Sequence, residues 1–140
     1  MFIEVYSQPH DGPETLDGLP IVLQSAEDAK ALGQAVLDAL ERSTFEVISA
    51  PDPRNNPMLK KLLTWAGVRN WASYAKGSKS VGVFSRYSVA PPATINITPE
   101  KWDSDGGFSP IMEERQVEVP FVGVEELGAL LQDAMKLART

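Results

Sequence analysis

The chain has 140 residues and a mass of 15.3 kDa, the length of one domain, and its 43% hydrophobic and 23% charged residues are ordinary globular values that exclude a disordered chain. It has no cysteine, which removes disulfides, thiolate metal sites and cysteine nucleophiles and suits a reducing, cytoplasmic setting. A net charge of −6 disfavours nucleic acid or an anionic membrane as the partner of the whole surface.

In chain order, Phe2 to Tyr6 reads as a short strand, and the following 8–13 segment, with two prolines and a glycine, as a turn. This N-terminal region has no basic stretch and no long apolar run, so no signal peptide is predicted. Leu19 to Leu23 reads as a second strand. Ser25 and Asp28 then resemble a capping box, and Ala29, Leu32, Val36, Ala39 and Leu40 recur at helical spacing, predicting an amphipathic helix over 26–42. Phe45 to Ile48 has strand character and stops before Pro51 and Pro53. Asn56 as N-cap, Pro57 at the first helical position and Gly67 as terminator predict a short helix over 57–66. Asn70 to Lys76 reads as a further helical turn or two. Ser80 to Ser85, which Tyr87 could lengthen, and Thr94 to Thr98 read as strands. A loop broken by Gly106 and Gly107 follows, then a strand over Gln116 to Val119 and an amphipathic helix over 124–138.

Residues 32–40 align without gaps on residues 127–135, with Leu, Gly, Asp and Ala matching in place. Glycine inside a helix costs about 1 kcal/mol relative to alanine, so Gly33 and Gly128 in the same register suggest close packing against another backbone. The likeness is either a repeat, implying two strand–loop–strand–helix halves around a shared sheet, or amphipathic patterning alone. Strands mixed with helices, without strict alternation, predict one α+β domain over 1–140. It would hold a mainly antiparallel sheet of about five to six strands, two main helices and one or two shorter ones.

The charge is uneven. Residues 1–53 carry −8, residues 54–86 carry +7 with no carboxylate, and residues 87–140 carry −5. Either the segments pack with opposite signs facing each other, or the surface is bipolar and steers a charged macromolecular partner. The basic segment interleaves cations with Trp65, Trp71, Tyr74 and Phe84, the ingredients of single-strand nucleic-acid binding. The acidic flanks would repel a polyanion, however, and tryptophans more often fill a core, so no direct nucleic-acid partner is expected.

Catalytic and metal motifs are poorly supported. His10, the single histidine, sits in a turn. Asp103, Asp105 and Glu114 follow a calcium loop only in outline, because Gly107 offers no ligand at the fifth position and Phe108 replaces the sixth-position glycine. Lys76-Gly77-Ser78-Lys79-Ser80 lacks the spacing of a phosphate-binding loop. No catalytic residue, metal or cofactor is predicted, and the residues suit a protein that works by binding another protein.

Three stretches in order carry a family resemblance: Gly67-Val68-Arg69-Asn70-Trp71-Ala72-Ser73-Tyr74-Ala75-Lys76-Gly77-Ser78-Lys79-Ser80-Val81, the Gly107-Phe108-Ser109-Pro110 turn, and Glu125-Glu126-Leu127-Gly128-Ala129-Leu130-Leu131. Together, over about 55–140 and more loosely before that, the chain resembles immunity proteins of bacterial contact-dependent growth inhibition systems. The resemblance implies a cytoplasmic, non-enzymatic protein that binds and neutralises the toxin domain of a cognate effector. That toxin would commonly be a nuclease, bound by a monomer in a one-to-one complex. Trp71 and Tyr74 would be core anchors, and Gly77 and Gly107 turn formers. The expected toxin-facing residues are acidic and loop-borne: Asp11, Glu14 and Asp17 in one region, and Asp103, Asp105, Glu113 and Glu114 in another, with Trp102 as an apolar anchor. The main rival is a secretion chaperone, also small, acidic and α+β, which would bind an unfolded effector segment.

Overall fold

In this computed structural model, residues 1–86 and 91–140 are described; Tyr87 lies outside them. The helical periodicities are realised as α1 (Ala29–Arg42), α2 (Pro57–Ala66), α3 (Trp71–Ala75) and α4 (Val124–Leu137). Helix α1 starts at Ala29 rather than 26 because Asp28 is the cap, its carboxylate accepting the Ala31 N–H at 3.0 Å. Ser25 serves the turn before it, accepting the Glu27 N–H at 3.0 Å. Helix α2 runs as its punctuation predicts. Asn56 caps it and Gly67, at φ 71°, adopts the left-handed conformation that returns its N–H to the Leu63 and Thr64 carbonyls.

Strands β1 (Phe2–Ile3), β2 (Tyr6–Ser7), β3 (Thr15–Leu16) and β4 (Ile21–Val22) form two separate antiparallel ribbons, β1 with β4 and β2 with β3. Strands β5 (Val81–Phe84), β6 (Thr94–Trp102), β7 (Phe108–Pro110) and β8 (Gln116–Pro120) form a four-stranded antiparallel sheet around β6. The fold is therefore α+β, but the described strands are divided among three sheets. The halves implied by the helix likeness do not share one sheet. Three local expectations also change. Residues 45–48 form one bridge, Gln8 to Phe45, because Glu46 turns to φ 57° and ends the extended backbone. Thr15–Leu16 pairs where no strand was expected. The Gly107–Pro110 segment is not wholly a turn, since Phe108 to Pro110 pairs with Glu100 to Trp102.

The core lies between α1, α4 and one face of β6. Leu32, Val36, Leu127, Leu131 and Ala134 close over Ile95 and Ile97, all buried, and each large side chain contributes roughly 1.5–3 kcal/mol by leaving water. The helices run antiparallel, with Gln132 Nε2 donating to the Ala26 and Glu27 carbonyls at 2.7 and 2.9 Å. At their crossing each backbone fills the space where the other's side chain would be. A Cβ on Gly33 would overlap the Val124 carbonyl oxygen, and one on Gly128 the Ala29 carbonyl oxygen. The register shared by residues 32–40 and 127–135 thus has a physical use, whatever its origin.

The basic centre contributes less to this core than its aromatics suggest. Trp65 is 49% exposed, Trp71 and Tyr74 are half-buried, and α2 and α3 fully bury only Leu62 and Ala75. These short helices lie outside the α1–α4 crossing.

Gly128→Ala is expected to lower stability by about 3 kcal/mol, overpacking outweighing the gain in helix propensity. Urea unfolding measures this. Gly33→Ala added to it should cost less than the sum, because one separation of the helices relieves both overlaps. A stabilised Gly128→Ala variant would rule out the close crossing.

Candidate functional site

The predicted acidic residues occupy two surface regions. Asp11 lies on the loop between β2 and β3, where its carboxylate accepts the Ala50 N–H at 2.7 Å. His10 beside it directs Nδ1 to the Ile48 carbonyl at 2.8 Å and Nε2 to Asp11 at 3.9 Å, so both residues tie this loop to the 44–50 segment. Glu14 is exposed and Asp17 half-exposed after β3. In the second region the β6–β7 turn holds Asp103, 4.0 Å from Lys101, and exposed Asp105. Glu113 and Glu114 sit on a 3-10 turn over Met112–Glu114. Trp102 is half-buried, edge-on to Phe108 at 5.3 Å, so it supports the turn as well as presenting an apolar surface.

The seven cations of residues 54–86 are all exposed. Among the described residues only Arg54 with Asp52 (3.2 Å) and Arg86 with Glu118 (3.8 Å) form ion pairs to the acidic flanks. The opposite signs therefore remain largely segregated on the surface. No group of three or more His, Asp or Glu side chains among the described residues could hold a metal ion.

Another site was not anticipated. Alternation along β6 sends Ile95 and Ile97 into the core and turns Asn96, Thr98 and Glu100 to the opposite face. That face opens on a cleft of about 1750 Å³ between the sheet and the N-terminal segment. Glu4 enters it between β1 and β2, accepting hydrogen bonds from Tyr6 Oη at 2.7 Å and Tyr74 Oη at 2.6 Å. Glu100 accepts from Ser80 Oγ. Burial, followed by the nearby carboxylates, pushes both phenols well above the ordinary tyrosine range; for Tyr6 these include Glu4 and Glu100. Both tyrosines are thus held as neutral donors. The only trace of this cluster in the sequence is Glu4 and Tyr6 on one side of a short strand; nothing there links them to Tyr74 or Glu100.

Residues 2–138 match the family described as CDI immunity protein. The chain belongs to the CDI immunity protein family. The match covers the N-terminal ribbons as well as the region that carried the resemblance. A protein of unknown function from Neisseria meningitidis has a similar structure, with TM-score 0.76 and 22% identity over 99% of this chain and 88% of that one, a likeness of fold. No curated protein matches in sequence. As a CDI immunity protein, the chain binds and neutralises a cognate CDI toxin by protein–protein contact, not by catalysis, and the secretion-chaperone alternative gives way. No helix among the described residues is long and apolar enough to cross a membrane.

Because their phenol pKa values are raised, Tyr6 and Tyr74 favour the fold below the ordinary tyrosine pKa, and that stabilisation is lost as pH rises above it. Wild-type stability should fall as pH is raised from about 10 to about 12. A Tyr6→Phe/Tyr74→Phe variant should lose less over that interval in urea unfolding series. Equal losses would remove these tyrosines as the cause.

Proposed function

We propose that this immunity protein neutralises a nuclease toxin in the cytoplasm. Carboxylates of the 11–17 and 103–114 regions enter the cationic site with which the toxin holds phosphates, and one immunity domain binds one toxin domain. The observation that carries this reading is the segregation of charge. Glu14, Asp105 and Glu113 are exposed and make no ion pair among the described residues, while the cations lie on another part of the chain. A nuclease must attract a polyanion, so an inhibitor with clustered carboxylates is steered to the same place and associates fast. Asp11 accepts the Ala50 N–H, and the Asp103 backbone closes its turn with the Gly107 carbonyl and the Gly106 N–H, so each region is held while its neighbours stay available.

Reversing Asp11, Glu14 and Asp17 to lysine, or Asp103, Asp105, Glu113 and Glu114 to lysine, should slow association with the cognate toxin by about tenfold or more at low salt. It should also flatten the dependence of the rate on ionic strength. Stopped-flow binding measures both. If neither set changes rate or affinity, the acidic regions do not face the toxin.

A further inference from the structure

Three aspartates of the acidic loops are each followed by glycine: Asp11-Gly12, Asp17-Gly18 and Asp105-Gly106. With no side chain to shield it, a glycine amide nitrogen can reach the preceding aspartate's side-chain carbonyl carbon and close a five-membered ring. Whether it does so depends on how firmly the fold holds the two groups, and here the three pairs differ.

At the first pair the Asp11 carboxylate accepts the Ala50 N–H at 2.7 Å, and the Gly12 carbonyl accepts Gln8 Nε2 at 2.6 Å. Gly12 is packed so closely that a Cβ on it would lie 2.7 Å from the Ala50 Cβ. At the second pair the Asp17 N–H donates to the Val5 carbonyl at 2.8 Å, and Gly18 lies against the buried Val5 side chain. Both of these pairs are held by residues outside their own turn.

The third pair is not. Asp105 is exposed, and its carboxylate has no hydrogen bond or ion pair among the described residues. Gly106 stands at φ 96°, and a Cβ on Gly106 or Gly107 would meet nothing within 4 Å beyond its chain neighbours. The restraint on the nucleophile is the Gly106 N–H donating to the Asp103 carbonyl at 3.1 Å, a bond internal to the turn. A surface turn opens at little cost in free energy, whereas freeing Gly12 or Gly18 means parting contacts with Ala50 or Val5.

We propose that Asp105 is a site of spontaneous isoaspartate formation, selected by the fold over Asp11 and Asp17. The Gly106 nitrogen bonds to the Asp105 side-chain carboxyl carbon. The carboxyl group, protonated from solvent, loses its hydroxyl together with the amide proton as water, leaving a succinimide. Water then adds to the main-chain carbonyl carbon of the ring and breaks its bond to nitrogen. The peptide link now runs through the side chain, and a free carboxylate remains on the α-carbon. One water leaves and one returns, so mass and charge are unchanged. The added main-chain carbon falls inside the Asp103–Gly107 turn, lengthening the link between β6 and β7 and displacing the carboxylate. The site itself is independent of the toxin; only its effect on toxin association rests on the acidic-loop reading.

The full chain is held at neutral pH and physiological temperature for several weeks, with its unfolding midpoint as the folding control. Electron-transfer fragmentation mass spectrometry then locates isoaspartate, and an isoaspartyl carboxyl methyltransferase with labelled methyl donor measures its total. Isoaspartate should accumulate at position 105 about tenfold faster than at 11 or 17 in the folded chain. Unfolding in guanidinium chloride should bring the three rates to within about twofold of each other. Asp105→Glu, which would need a larger ring, should remove most methyl acceptance from the folded chain. Equal accumulation at the three positions of the folded chain overturns the proposal, as does none at 105 over a time in which the unfolded chain forms it. Isoaspartate at 105 with an unchanged rate of toxin association upholds the site and counts against the acidic-loop reading alone.

Discussion

The fold depends on one close approach, the crossing of α1 and α4 at Gly33 and Gly128. Each glycine leaves room for a carbonyl of the opposite helix, Val124 for one and Ala29 for the other. With the backbones this near, the matched pairs Leu32 and Leu127, and Val36 and Leu131, reach a single strand. Ile95 and Ile97 of β6 are that strand's inward residues. A wider crossing would separate the helices from β6 and leave voids in the core, which close-packed interiors do not tolerate without loss of stability.

Placing both long helices on one side of the sheet leaves its other side, among the described residues, without a long helix. The ribbon of β1 and β4 packs on the core itself, through Ile3 and the flanking Met1 and Leu23, and other parts of the N-terminal segment border the open side. The result is a cleft lined by Asn96, Thr98 and Glu100 of β6 and by β5, which among the described residues pairs with β6 alone. Tyr74 on α3 reaches Glu4 at 2.6 Å across the N-terminal segment, so this loosely covered side is still tied in place. A binding protein gains from such a division. The helix-backed face holds the fold, while the open face and the acidic loops can vary to match a partner without disturbing the core.

Much of the local structure was legible because its causes are local. Asn56, Pro57 and Gly67 bound α2 through caps and backbone conformation that need no distant partner. The apolar spacing of α1 and α4 reports their buried faces, and the paired glycines indicated a close backbone contact. The strands were harder to read. Thr15–Leu16 and Phe108–Pro110 are strands because of what they pair with, and Phe45–Ile48 has strand composition but is turned aside at Glu46. Two-residue ribbons carry too little pattern to show themselves.

The candidate sites divide in the same way. Loop carboxylates such as Glu14, Asp105 and Glu113 could be named from sequence, since charge beside glycine and proline predicts exposure, and all three are exposed. By itself the sequence determined the charge pattern, the helices with most of their bounds, and a resemblance that the family match bears out. Only the tertiary structure decided that Trp65 stays half-exposed, that the described strands divide among three sheets, and that Glu4, Tyr6, Tyr74 and Glu100 meet in one cleft. The reason is range. Caps and helical periodicity act over a few neighbouring residues, whereas the Glu4–Tyr74 hydrogen bond joins positions 70 apart in sequence and exists only after the chain has packed.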